Sequence, residues 1–307
     1  MDNVNDFFAT LSSFLWGWPM IVLLLGTHVF LTIRLRFPQR KLFTAIRLSV
    51  QRDKSQKGDV SQFGALATAL AATIGTGNII GVATAVALGG PGAVFWCWLT
   101  GVFGISTKYS EALLAIKYRV KSERGTMQGG PMYTLERGLG WRWMGFLFAL
   151  FTAIAAFGIG CTVQANAIST IMHASYGIST EVSGVVLMLL AAAVIVGGVR
   201  SISKVCSMLV PFMALLYVLG CIYILCGNSG YVMPALKLIV SSAFSPEAAG
   251  GGFAGGSVIM AARYGIARGL FSNESGLGSA PIVAAAARTK NPVRQALVSS
   301  TGTFWDT

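Results

Sequence analysis

Runs of about 20 apolar residues recur along the chain, separated by short polar or basic segments. Hydrocarbon offers no partner to backbone N–H and C=O groups, so runs of this length must bond internally, as helices do. At 1.5 Å per residue, about 20 residues cross a core of roughly 30 Å. The chain is 54% hydrophobic and only 11% charged, where a soluble domain carries about 25% charged residues. The fold class is therefore all-α integral membrane: one transmembrane domain over 1–307, not two soluble ones.

Spans are expected near 15–35, 63–88, 92–117, 142–173, 181–199, 204–226 and 256–287, with an eighth beginning near Pro292. The fourth, at some 32 residues, would be about 48 Å long and must tilt or project. Asp2 and Asp6 rather than a basic stretch precede the first run, so it reads as a retained helix, not a signal peptide. Segment 126–140 is too short and polar to span, and predicts a hairpin with a short surface helix ending at Gly138 or Gly140. Segment 227–255, ending in a glycine-rich run, reads equally as a lid or a flexible connector.

The formal charge of +12 resides in a few loops. Basic residues from Arg34 to Lys57, then Lys117 to Arg142, then Arg200 and Lys204, then Arg288, Lys290 and Arg294 fall on one side of a single topology. The positive-inside rule makes that side cytoplasmic and the N-terminus external, with a lipid bilayer and not a nucleic acid as the partner. The five cysteines lie in apolar runs without metal-ligand spacing and read as core residues; His28 and His173 are isolated and read as structural.

Two spans carry polar centres. The second holds "ATIGTGNIIG" (72–81), where Thr73 to Asn78 sum poor helix propensities over two turns. Close helix packing through small residues would also explain its glycines. The seventh holds "GLFSNESGLGSAP" (269–281), with Asn273 and Glu274 at bilayer depth. An ionised carboxylate there costs about 2.5 to 3.5 kcal/mol and needs a partner or a wet cavity. Two such spans, five apart and thus antiparallel, match the inverted-repeat arrangement in which discontinuous helices hold solutes at mid-membrane.

The text "ALATALAATIGTGNIIGVATAVALGGPGAVFW" (65–96), "GGPMYTLERGLG" (129–140), "VQANAIS" (163–169) and "GLFSNESGLGSAPIVAAAARTKNPVRQALV" (269–298) resembles the alanine or glycine:cation symporter family of sodium-coupled amino-acid carriers. The resemblance implies a LeuT-type inverted-repeat bundle with an extra N-terminal helix. It would have a peripheral helix at 15–35, a first repeat at 63–226 and the start of a second at 256–307, so that the chain stops inside an incomplete second repeat.

It further implies alternating-access symport of alanine or glycine with a sodium ion, no organic cofactor, a monomer, and a place in the cell membrane. Carried over by position, Thr73, Thr76 and Gly77 would meet the substrate carboxylate, with Gln164, Phe271, Ser272 and Leu277 around the amino acid. Carbonyls of Ala71 and Ile74 would hold one sodium, and Asn78 matches a ligand of another. Glu274, beside Asn273, departs from the LeuT-like pattern; pairing with Arg263 or Arg268 and proton handling are its two readings. A passive channel for small solutes or ions is the alternative function, and a membrane enzyme lacks a nucleophile and base pair.

Overall fold

The computed structural model describes residues 2–15, 17–51, 58–75, 77–244 and 258–307. Their regular secondary structure is helical apart from one antiparallel ribbon of two two-residue strands. α1 (Asp2–Leu15) and α2 (Trp18–Arg34) meet at Gly17, with Pro19 in the first turn of α2, where its missing N–H costs nothing. The basic segment that follows is not a plain loop. It contains a 3₁₀ turn (Pro38–Lys41) and α3 (Leu42–Val50), which buries Ala45 and Ser49, four residues apart on one face.

α4 (Gln62–Thr73) starts where Ser61 Oγ accepts from Gly64 N at 2.9 Å. After a break it resumes as a π turn (Gly77–Gly81) and α5 (Val82–Gly89). α6 (Gly92–Lys117) leads into the ribbon β1 (Val120–Lys121) and β2 (Met127–Gln128), then α7 (Pro131–Gly138), the expected surface helix. α8 (Arg142–Ala155), a π stretch (Ala156–Thr162) and α9 (Val163–Tyr176) form one run of 35 residues, three more than the expected 142–173.

α10 (Thr180–Ile195) is followed almost at once by α11 (Gly198–Gly227). Arg200 and Lys204, expected in a loop, lie in the first turns of α11. A helix need not stop where the hydrocarbon does. α12 (Ser229–Ser242) likewise occupies the first half of the expected lid or connector, whose glycine-rich part, 245–257, lies outside the described residues. α13 (Val258–Asn273), α14 (Ala280–Ala285) and α15 (Pro292–Asp306) complete the chain, α15 being capped by Asn291 Oδ1 at 3.0 Å from Val293 N.

Among the described residues three helical runs are long and apolar enough to cross a membrane, Asn5–Arg34, Arg142–Tyr176 and Gly198–Gly227. The pair α4–α5, bent by 48°, makes a fourth. α6 has ample length at 26 residues but carries Lys108, Glu111 and Lys117. The polar load of α6 is explained by its place: α13 and α15 pack along it, and α2 closes over α13 through Ile21, Leu24, Ala262, Ile266 and Leu270. By contrast Phe146, Phe151, Leu189, Phe212 and Leu216 on α8 to α11 are all exposed, an apolar surface suited to lipid or further protein.

Two expectations about cysteine need correcting. Cys97 is buried, but Cys161 and Cys226 are exposed on this apolar surface rather than packed in the core. His28 is structural as expected, fully buried with Nδ1 2.8 Å from Thr107 Oγ1.

α13 approaches α6 closely because glycines face it. A Cβ at Gly265 would run into Ala93 O, and one at Gly269 into Thr100 Oγ1. Gly265→Val is therefore expected to lower stability by about 1–3 kcal/mol, the usual penalty of overpacking, read as a lowered melting temperature of the purified protein. An unchanged melting temperature would contradict this packing.

Candidate functional site

Both polar centres break their helices. In the first, the ladder ends at Ile74 N to Leu70 O (2.8 Å) and resumes at Asn78 N to Gly75 O (3.1 Å). That leaves the carbonyls of Ala71 and Ile74 outside the regular pattern; Ala71 is exposed and Ile74 half-buried. Thr76 lies outside the described residues.

In the second, α13 ends at Asn273 and Glu274 turns the chain with φ 51, followed by Gly276 at φ 93 and Gly278 at φ 81. Left-handed backbone is free for glycine and costs a glutamate about 1 kcal/mol or more. Glu274 is held there by its amide on Leu270 O (3.1 Å) and by its carboxylate, which accepts a hydrogen bond from Ser279 Oγ. It pairs with neither Arg263 nor Arg268: the turn points its carboxylate forward to Ser279, Arg263 stacks on Tyr264, and Arg268 lies beside Gly81.

The two breaks come together. Ser272 Oγ lies 2.8 Å from Asn78 Oδ1 and 3.0 Å from Asp306 Oδ2, and donates to one or the other. Asn78 Nδ2 donates to Asp306 Oδ1 and to Asp306 O, both at 2.9 Å. Thr73 lies beside the Asp306 side chain, its Oγ1 also 3.5 Å from Leu70 O. Asp306, at the last turn of α15, is 9% exposed and Ser272 6%. One carboxylate, one amide oxygen and two hydroxyls thus converge at mid-helix depth, a hard-oxygen set suited to a small alkali cation.

Around this group stand other expected residues. A Cβ at Gly77 would meet the Phe271 ring at 3.8 Å, and one at Gly75 would meet Gln164 Oε1 at 3.7 Å. Gln164 and Phe271 therefore flank the first break. Asn273, 1% exposed, turns toward Ser275 N (3.0 Å) and Thr307 Oγ1 (3.5 Å). Leu277, half-buried, belongs to the second turn itself, its amide on Glu274 O at 3.3 Å.

Three charged residues join the site that sequence pattern alone does not single out. Asp306 completes the cluster. Lys108 in α6, 3% exposed, donates to Asn273 O at 2.8 Å and so caps the first half of the broken helix. Glu111, one turn further on, lies near the amides of Gly276 and Gly278. The sequence did carry a signal for the last two: a lysine and a glutamate three apart in a span of 26 residues.

The far end of the second break is also fastened. Arg119 donates to the carbonyls of Ala285, Ala287 and Thr289 at 2.9, 2.8 and 2.6 Å. Its burial lowers the guanidinium pKa, an effect that the Asp59 carboxylate opposes. Asp59 in turn accepts from Met127 N at 2.7 Å and lies 3.7 Å from Arg200. A cleft of about 490 Å³ lined by Lys117, Arg119, Lys121 and Lys290 opens at this basic end, away from the oxygen cluster.

The family model of the sodium:alanine symporter family matches residues 1–307. The chain belongs to that family. It is 54% identical over 307 residues to an uncharacterized transporter of Haemophilus influenzae (99% of this chain, 67% of the relative). It is 53% identical over 305 residues to the sodium/alanine symporter AgcS of Methanococcus maripaludis (97% and 66%), and 38% identical over 295 residues to the probable sodium/glutamine symporter GlnT of Bacillus subtilis (95% and 61%). The chain thus spans about two thirds of the length of these relatives. Members of the sodium:alanine symporter family are transporters rather than enzymes, and the apolar helices here make a multi-pass membrane protein.

Proposed function

We propose that this chain provides the cation site and much of the substrate site of a sodium-coupled carrier for small neutral amino acids, alanine or glycine. The observation that carries it is the hydrogen-bonded group Asn78–Ser272–Asp306, which joins two interrupted helices through side-chain oxygens. Sodium is cargo here. Asp306 would supply its counter-charge, with Asn78 Oδ1, Ser272 Oγ and Thr73 replacing hydration oxygens; a second sodium would use the carbonyls of Ala71 and Ile74.

The amide of Gly77 opens the second half of the first broken helix, a positive end suited to the substrate carboxylate, and Thr76 would join it there. Phe271, Gln164 and Leu277 would enclose the small side chain and exclude water. The zwitterion and the cation then sit in one polar pocket and each favours the other's binding, which is the thermodynamic basis of coupling. The relatives' names, a sodium/alanine symporter and a probable sodium/glutamine symporter, support the reading. We place the chain in the cell membrane as a monomer with its N-terminus outside and a LeuT-type repeat of 63–226 against 256–307, working by alternating access.

Radiolabelled alanine uptake into vesicles holding the complete gene product is the test. Accumulation above the external level is expected in sodium and its loss when potassium or choline replaces sodium. Equal, non-concentrative flux in all three salts would instead mark a passive pathway.

A further inference from the structure

Lys108 has no place in the reading above, yet it is the most deeply buried ammonium beside the site. It projects from α6, is 3% exposed, and spends one N–H on Asn273 O, the last residue of α13. Its charge interacts with three carboxylates, Glu111 on its own helix, Glu274 in the second break and Asp306 in the oxygen cluster. No ion pair within 4.0 Å joins it to any of them. Glu111 Oε2 is buried without a hydrogen-bond partner among the described residues, and the carboxylate lies near the amides of Gly276 and Gly278. Lys108 thus sits on the carbonyl end of α13, one residue from Ser272 of the cation cluster, with Glu111, Glu274 and Asp306 in electrostatic reach and none of them in ion-pair contact.

We propose that Lys108 is a positioning residue for the cation, a tethered positive charge that sets sodium affinity at Asp306 and ties it to the shape of the second break. The inference rests on the sodium site proposed above. Without sodium, the ammonium supplies the positive charge that buried Asp306 needs, since an unbalanced buried carboxylate is costly. When sodium reaches Asp306 the two cations repel each other, and the ammonium is left to Glu111 and Glu274. Its bond to Asn273 O carries that change into the end of α13. Sodium arrival and the position of the broken helix are thus linked through one side chain, with no bond made or broken covalently.

The sign of the effect is specific. Lys108→Gln keeps a donor for Asn273 O but removes the competing charge, so sodium should bind more tightly, by roughly three- to tenfold for one unit charge acting through a partly hydrated interior. Lys108→Arg keeps the charge and should stay within about twofold of wild type. Glu111→Gln removes a balancing carboxylate and should weaken sodium several-fold. A residue of merely structural importance would lower the melting temperature in choline without moving the sodium concentration at half effect.

The measurement is the melting temperature of the complete purified protein, titrated with sodium at constant ionic strength against choline, since a ligand of the folded state stabilises it according to its affinity. It requires no transport. A half-effect concentration unchanged or raised in Lys108→Gln overturns the inference and leaves the sodium site intact. Should Lys108→Gln fail to fold, an unchanged value in Glu111→Gln overturns it instead. The absence of any sodium effect in wild type overturns both this inference and the sodium site.

Discussion

Asp306→Asn is expected to abolish sodium-driven alanine uptake at sodium concentrations that saturate the wild type. The substitution preserves size and hydrogen bonding toward Asn78 and Ser272, so the cluster can still form. What it removes is the one negative charge, among the described residues, in hydrogen-bonding contact with both interrupted helices. Loss of a ligand or of its orienting partner typically costs about 10–100-fold in metal affinity, and here the lost group is the cation's counter-charge. Uptake at low sodium should fall to background, with partial recovery only as sodium is raised far above the wild-type half-saturation. A wild-type sodium curve in Asp306→Asn would remove Asp306 from the site.

The second large effect is steric and graded. At Gly77 a Cβ has ordinary van der Waals room, 3.8 Å from the Phe271 ring, so Gly77→Ala is expected to keep uptake within about threefold of wild type. Gly77→Leu places three further carbons where the pocket is closed by that ring. It should abolish uptake while the protein still purifies folded, because the break is already irregular backbone and not packed core. Equal uptake in the two variants would show that Phe271 and Gly77 do not enclose the substrate.

The breaks were legible in the sequence because their chemistry is local. Glycine, threonine and asparagine in succession oppose a helix wherever they stand, and the pairs Gly276–Leu277–Gly278 and Gly75–Thr76–Gly77 announce turns without tertiary information. The resemblance assigns Asn78 to a sodium ion and Ser272 to the amino acid, and their direct contact comes from the fold. What was not legible was tertiary in origin. Asp306 is one acid near the end of the last helix, and only the packing of α15 against α6 carries it to the breaks.

Sequence proximity offers Glu274 an arginine partner, Arg263 or Arg268, as one of its two readings beside proton handling. The left-handed turn at its own residue sends its carboxylate to Ser279 instead. Helix limits failed for a related reason. Charges at Arg200 and Lys204 mark where the hydrocarbon ends, not where the backbone stops hydrogen bonding, so α11 begins at Gly198 and leaves only two residues after α10. Likewise hydropathy averages a span and hides Lys108 and Glu111 within α6.

Thallium(I), a heavy stand-in for alkali cations, offers the most direct test of the shared oxygen site. Anomalous density from the complete protein with thallium and alanine should show a peak bounded by Asn78 Oδ1, Ser272 Oγ and the Asp306 carboxylate, with sodium displacing it. Density elsewhere with this cluster empty, or unbroken α-helix through Ile74 to Asn78, would contradict it.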